Sequence, residues 1–174
     1  MADLTLVIGN KNYSSWSLRP WLAMKVHGIE FRERRIALDE PGTREAVLRH
    51  SPSGKVPCLI DGTLRIWDSL AILGFLAEVR PVLWPAEREA RALARSISAE
   101  MHAGFADLRQ HMPMNVRARH PGKGRNPGVL ADIGRVVAIW SECRARAPEQ
   151  KPFLFGDFTI ADAMYAPVVL RFET

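Results

Sequence analysis

Strand-like runs stop at Pro81. Over residues 1–80 short apolar stretches alternate with helical periodicity, whereas 86–119 shows almost no strand-like alternation and many good helix formers. A repeat that changes so abruptly across Pro81-Val82-Leu83-Trp84-Pro85 predicts two domains: a mixed α/β domain over 1–80, a linker at 81–85 and an all-helical domain over 86–174. With 174 residues, 47% of them hydrophobic, the chain can bury one sizeable core or two small ones.

Within the first domain, residues 4–8 are apolar and end at Gly9, the pattern of a buried strand stopped by a turn. Leu18, Trp21, Leu22 and Val26 then fall at helical spacing, and Gly28 sits where such a helix would end. Residues 29–38 alternate enough for a second strand, and Thr43 opens a short capped helix. Strands at 56–60 and 64–67 are joined by Asp61-Gly62, a strong hairpin signal, and Ser69 opens a helix running to Val79. A right-handed crossover makes the first two strands parallel, and the hairpin adds an antiparallel edge. In the second domain the pattern predicts a long helix over 86–119, a Gly- and Pro-rich loop at 120–128, a helix over 129–147 and another opening at Thr159.

Composition excludes several classes. The net charge of +5 is concentrated in part at Arg117, Arg119, His120, Lys123 and Arg125, but no aromatics interleave these residues and no nucleic-acid motif contains them. They read as a solvated loop, with no nucleic-acid partner expected. No run of about eighteen apolar residues and no basic leader occurs, so a soluble cytoplasmic protein without a membrane partner is expected. Cys58 and Cys143 are too few for a disulfide framework and are expected to be reduced and structural. None of the five histidines forms a helical metal-binding pair, so no metal is expected.

The stretch Asn12-Tyr13-Ser14-Ser15-Trp16-Ser17-Leu18-Arg19-Pro20-Trp21 sits where the first strand gives way to the first helix. Proline has no amide hydrogen and is comfortable in a first helical turn, so the helix should begin near Ser15 to Ser17. Ser14 and Ser15 then occupy a helix N-terminus, where free amides and the positive end of the dipole favour a bound anion. The same two hydroxyls could instead do no more than cap the helix, and Ser17 reads as an early helical residue. Thr159-Ile160-Ala161-Asp162 has capping-box spacing and reads as structural.

Four motifs in order, SSWSLR (14–19), Val56-Pro57 before the hairpin, Asp68-Ser69 after it and FTIADAMYAP (158–167), resemble those of the cytosolic glutathione S-transferase family, the first being similar to the serine motif of bacterial, zeta-like members. The resemblance spans nearly the whole chain and implies a thioredoxin-like α/β domain followed by an all-α domain. It implies glutathione as co-substrate, its sulfur held as a thiolate by Ser14, with Ser15 in reserve. By the same resemblance the Val56-Pro57 bond is cis and Val56 faces the peptide-like ligand, Lys55 reaches a carboxylate or stays solvated, and Ser69 with Asp68 holds the γ-glutamyl end. Many relatives carry a longer acid or an amide where Asp68 stands. The resemblance also implies a homodimer, and further helices beyond Thr174, which would leave the second domain incomplete.

Ile97, Met101, Phe105, Leu108 and Met112 recur at steps of three and four, forming one apolar face on the long helix. That face reads as core or dimer contact, with Met101 and Phe105 as candidate pocket residues beside Tyr13 and Trp16. The expected activity is attack of the thiolate on a small apolar electrophile, a glutathione transferase reaction. The alternatives are a glutathione-dependent isomerase, although Trp16 stands where the zeta isomerase-type motif has cysteine, a peroxidase or dehalogenase, and a non-catalytic binding module with a transferase-like fold.

Overall fold

The structure, a computed structural model, describes residues 3–174. They divide into two compact units, one extending to Arg80 and the other spanning Pro81–Thr174. The first runs β1 (Thr5–Ile8), α1 (Ser15–Val26), β2 (Arg32–Arg35), α2 (Thr43–Leu48), β3 (Cys58–Asp61), β4 (Leu64–Ile66) and α3 (Ser69–Val79). Its sheet has the order β2-β1-β3-β4, with β1 parallel to β2 and antiparallel to β3, and β3 antiparallel to β4. This is the thioredoxin-like arrangement. Leu6, Val7 and Ile8 of β1 are buried with Leu59 of β3 and Ile72, Leu73 and Leu76 of α3. The inner strand is apolar because it is covered on both faces, and α1 packs against α3.

Three features of this unit depart from the sequence reading. The second strand is shorter than residues 29–38, and all four of its residues, Arg32-Glu33-Arg34-Arg35, are exposed. It is an edge, and a charged edge resists pairing with other chains. Pro20 is the sixth residue of α1, one turn later than expected, so the Trp16 carbonyl lacks its ordinary helical donor. Thr43 is likewise the first helical residue, not the cap. Its hydroxyl donates to the Ala37 carbonyl at 2.8 Å and accepts from the Glu40 amide at 3.1 Å, bracing the loop that precedes α2.

The second unit opens with a 3-10 turn (Pro81–Leu83) and contains α4 (Arg88–Ala103), α5 (Ala106–His111), α6 (Pro127–Arg146) and α7 (Ile160–Glu173). The single helix expected over 86–119 is broken at Gly104-Phe105. A Cβ at Gly104 would lie 2.9 Å from the Glu100 carbonyl, and Phe105 takes a φ of 58°. Arg109 closes the break by donating to the His102 carbonyl at 3.1 Å, and Asp132 caps α5 through the Leu108 amide at 2.9 Å. Helix α6 begins two residues earlier than expected, because Asn126 accepts from the Val129 amide and Pro127 occupies the first position, where its missing donor costs nothing.

Helices α4 and α7 pack together, and the buried Tyr165 hydroxyl donates to the Ile97 carbonyl at 3.2 Å. Helix α7 starts in a capping box. Asp162 accepts from the amides of Thr159 and Leu154, both at 2.8 Å, and from the Thr159 hydroxyl at 2.9 Å. Burial pushes its carboxyl above the usual range even though these three donors hold it. Replacing Asp162 by alanine leaves two amides without their acceptor and should lower the unfolding free energy by about 2–4 kcal/mol. Thr159→Ala, which removes only the cap hydroxyl, should cost about 0.5–2 kcal/mol. Urea denaturation of the two variants checks the order.

Candidate functional site

Strand β1 ends at Ile8, and the chain turns through 9–14 into α1. The amide of Ser14 donates to the Asn10 carbonyl at 2.9 Å, which closes the turn, and Ser14 is the residue that precedes the helix. Its hydroxyl does not cap α1. It donates instead to the Ser17 hydroxyl at 2.9 Å, and the Ser17 oxygen also accepts the Gly9 amide at 3.0 Å. The first turn of α1 contains no acidic residue, so its dipole is uncompensated at that end. Ser14, Ser15 and Ser17 are all buried.

A cavity of about 400 Å³ opens over this turn. Its lining brings together Tyr13, Ser14, Ser15, Trp16, Lys55 and Val56, which are six of the residues singled out in the sequence. Trp16 is held against the Arg19 guanidinium, 4.3 Å from the ring centre, and Tyr13 is partly exposed. Lys55 follows Gly54, whose φ of 66° suits glycine, and its side chain is exposed. The Val56-Pro57 peptide is cis. Pro57, Asp68 and Ser69 do not line this cavity.

Asp68 caps α3, accepting from the amides of Leu70 at 3.1 Å and Ala71 at 3.5 Å. Ser69, the first residue of that helix, is fully buried, and its hydroxyl has no hydrogen-bond partner among the described residues. A buried hydroxyl left unpaired costs free energy unless a ligand or water satisfies it. Met101 and Phe105 lie in the second unit and are buried there, 1% and 7% exposed, Phe105 meeting Tyr165 edge-on.

The rest of the cavity's lining is Leu38, Asp39, Thr43, Val47 and Gly54, and the wall formed by 38–43 was not apparent in the sequence. Asn10 places it, accepting the Leu38 amide at 2.8 Å, and Asp39 takes a φ of 62°. The one available signal was the Thr43 hydroxyl, which reads equally well as a helix cap. Ser17 is an early residue of the helix, as its position in the sequence suggests, but its bond to Ser14 was not foreseen, although a spacing of three residues puts the two hydroxyls on one side of the helix start.

Residues 13–79 match the model of the glutathione S-transferase N-terminal domain and residues 87–174 that of its C-terminal domain. The chain belongs to the glutathione S-transferase family. It is 38% identical over 100 residues to maleylacetoacetate isomerase from Rattus norvegicus, a match covering 54% of this chain and 45% of that protein. Among solved structures it resembles a glutathione transferase homolog from Burkholderia gl BGR1 with bound glutathione, at 23% identity and a TM-score of 0.72, over 98% of this chain and 83% of that one. A theta class glutathione S-transferase from Xanthomonas axonopodis pv. citri, with glutathione bound, superposes with a TM-score of 0.67 at 24% identity, over 97% and 82% of the two chains. Matched stretches span half or less of the curated relatives' own lengths.

Among the described residues no group of three or more histidine, cysteine or acidic side chains could hold a metal ion, and no helix is long and apolar enough to cross a membrane. Neither cysteine lines the cavity over α1. Both thiols are free and buried. Burial pushes Cys58 up and Cys143 up to about 11, so neither is a ready nucleophile. In the folded protein at about pH 8, both should resist a thiol-reactive disulfide reagent, and both should react once the chain is denatured. Rapid labelling of either thiol before unfolding would contradict that expectation.

Proposed function

We propose that this protein binds glutathione through its first unit, holds the sulfur as a thiolate at the start of α1, and presents it to a small apolar electrophile. The observation that carries this reading is the placing of the Ser14 and Ser15 hydroxyls, buried, at an acid-free helix N-terminus on the wall of a cavity that also contains Lys55 and Val56. The family assignment and the glutathione-bound structural neighbours support it.

The energetics are sufficient. A free cysteine thiol titrates near 8.5, and lowering that by about two units requires about 2.7 kcal/mol of preference for the anion. One hydroxyl donating to a charged acceptor supplies about 1.5–3 kcal/mol and the helix dipole about 0.3–1. In this reading Ser14 is the donor and Ser15 its reserve. The thiol proton leaves to solvent, and the sulfur lone pair then forms the new bond to carbon as that carbon's bond to its leaving group breaks, the displaced pair departing with the leaving group. For an unsaturated electrophile the π bond opens instead, and its pair takes a proton from solvent. Ser69 supplies its unpartnered hydroxyl to a glutathione carboxylate, and Lys55 supplies charge to another. Asp68 is engaged with the amides of its own helix and contributes mainly by holding α3 in place. A homodimer, implied by the sequence resemblance, belongs to the same proposal.

The second reading is a glutathione-dependent isomerase, favoured by the 38% identity to maleylacetoacetate isomerase. It would use the same thiolate, adding reversibly to the substrate. Turnover of a conjugation substrate and of an unsaturated diketo acid, measured side by side, separates the two.

The thiol of bound glutathione should titrate about two units below that of free thiol, read from its ultraviolet thiolate absorbance. Ser14→Ala should return most of that shift, and Ser69→Ala should weaken glutathione binding about tenfold while leaving the thiol's titration in place. An unchanged titration in Ser14→Ala together with a raised pKa in Ser15→Ala would transfer the donor role to Ser15.

A further inference from the structure

We propose that Ser17 is a positioning residue for the thiolate donor, tied to Ser14 by a hydrogen bond whose direction reverses when sulfur binds. The proposal rests on the glutathione reading above and names a group to which that reading gives no role. Ser17 does not line the large cavity. It lines a smaller one of about 120 Å³ together with Gly9 and Ser14, so Ser14 alone of the three serines borders both spaces.

A serine hydroxyl has one proton to give and two lone pairs to offer. Ser14 gives its proton to Ser17. With that proton committed, the Ser14 oxygen can present only lone pairs to the large cavity, and lone pairs repel an anion. For Ser14 to stabilise a thiolate its proton must turn toward sulfur, and its oxygen is then free to accept. The Ser17 oxygen still accepts the Gly9 amide, and its own proton is the one placed to fill the vacated bond. The result is a directed chain, Gly9 N–H to Ser17 O–H to Ser14 O–H to sulfur, in which each bond polarises the next.

The near end of this chain is rigid. A Cβ at Gly9 would stand 3.0 Å from the Ser14 oxygen and 2.5 Å from Leu38 Cδ1, so a larger residue there would press on both side chains. Gly9 directly follows β1, which pairs with strands on both sides. Ser17 is therefore held at its acceptor side by the sheet, and a small turn of its side chain aims its proton at Ser14.

The test titrates the bound thiol of glutathione in the parent, Ser17→Ala, Ser17→Thr, Ser14→Ala and the double variant Ser14→Ala/Ser17→Ala. Ser17→Ala should raise the thiol pKa by about one unit, Ser17→Thr should restore it, and Ser17→Ala should add nothing in the Ser14→Ala background. A residue that only pins helix to strand would change thermal stability and glutathione affinity but leave the titration alone. Should Ser17→Ala fail to fold, Ser17→Cys preserves shape with a much weaker donor and should show the same direction of shift. An unchanged thiol pKa in a folded Ser17 variant that binds glutathione overturns the proposal, as do shifts in the two single variants that simply add. If the parent itself binds glutathione without lowering its thiol pKa, the underlying reading of the site fails, whatever Ser17 does.

Discussion

The hydrogen bond from the Gly9 amide to the Ser17 hydroxyl is the junction on which the first unit's architecture turns. It joins the residue after an inner strand to the first turn of a helix, and both groups are buried. An amide stranded at that depth would cost about 1–3 kcal/mol, so the loop between strand and helix has little freedom to reposition. Ser14 lies inside that loop and is fixed from two directions, by its own amide on Asn10 and by its hydroxyl on Ser17. Asn10 in turn holds Leu38, so the opposite wall of the cavity is set by the same short segment.

The order of elements was legible because each has a local cause. A hairpin at Asp61-Gly62, a helix opening at Ser69 and a capping box at Thr159 are decided by neighbours within a few residues, and all three are found. The strand over 29–38 was overextended because alternation does not reveal which strand lies at an edge; the observed Arg32–Arg35 is exposed on both faces. The break at Gly104-Phe105 was invisible for a related reason. Ile97, Met101, Leu108 and Met112 keep helical spacing across it, and periodicity alone cannot tell one helix from two that continue the same apolar stripe.

The site was legible in part. Ser14, Ser15, Lys55 and Val56 come together at one cavity, although about forty residues separate the two pairs in sequence. The loop at 38–43 could not be foreseen, since its place depends on a side chain of Asn10 reaching across 28 residues. Ser17 is the instructive case. Read as a sequence, its hydroxyl is one more polar group in a helix start; read as a structure, it is the acceptor that decides where the Ser14 proton points.

Two helices in this unit open with a serine near the start, and they are not equivalent toward an anion. At α3 the Asp68 carboxylate already compensates the dipole and occupies the amides of Leu70 and Ala71, so an incoming carboxylate must share that end with a fixed negative charge. What remains is the buried Ser69 hydroxyl, which suits a single neutral hydrogen bond to a group held elsewhere as well. At α1 no acid stands in the first turn and no side chain caps it. The positive end of that helix is unopposed, with Ser14 bonded to Ser17 and Ser17 to the residue that follows the strand. A charge that must be created on binding, as a thiolate's must, gains most where no competing anion is already seated, and that condition is met at α1 and not at α3.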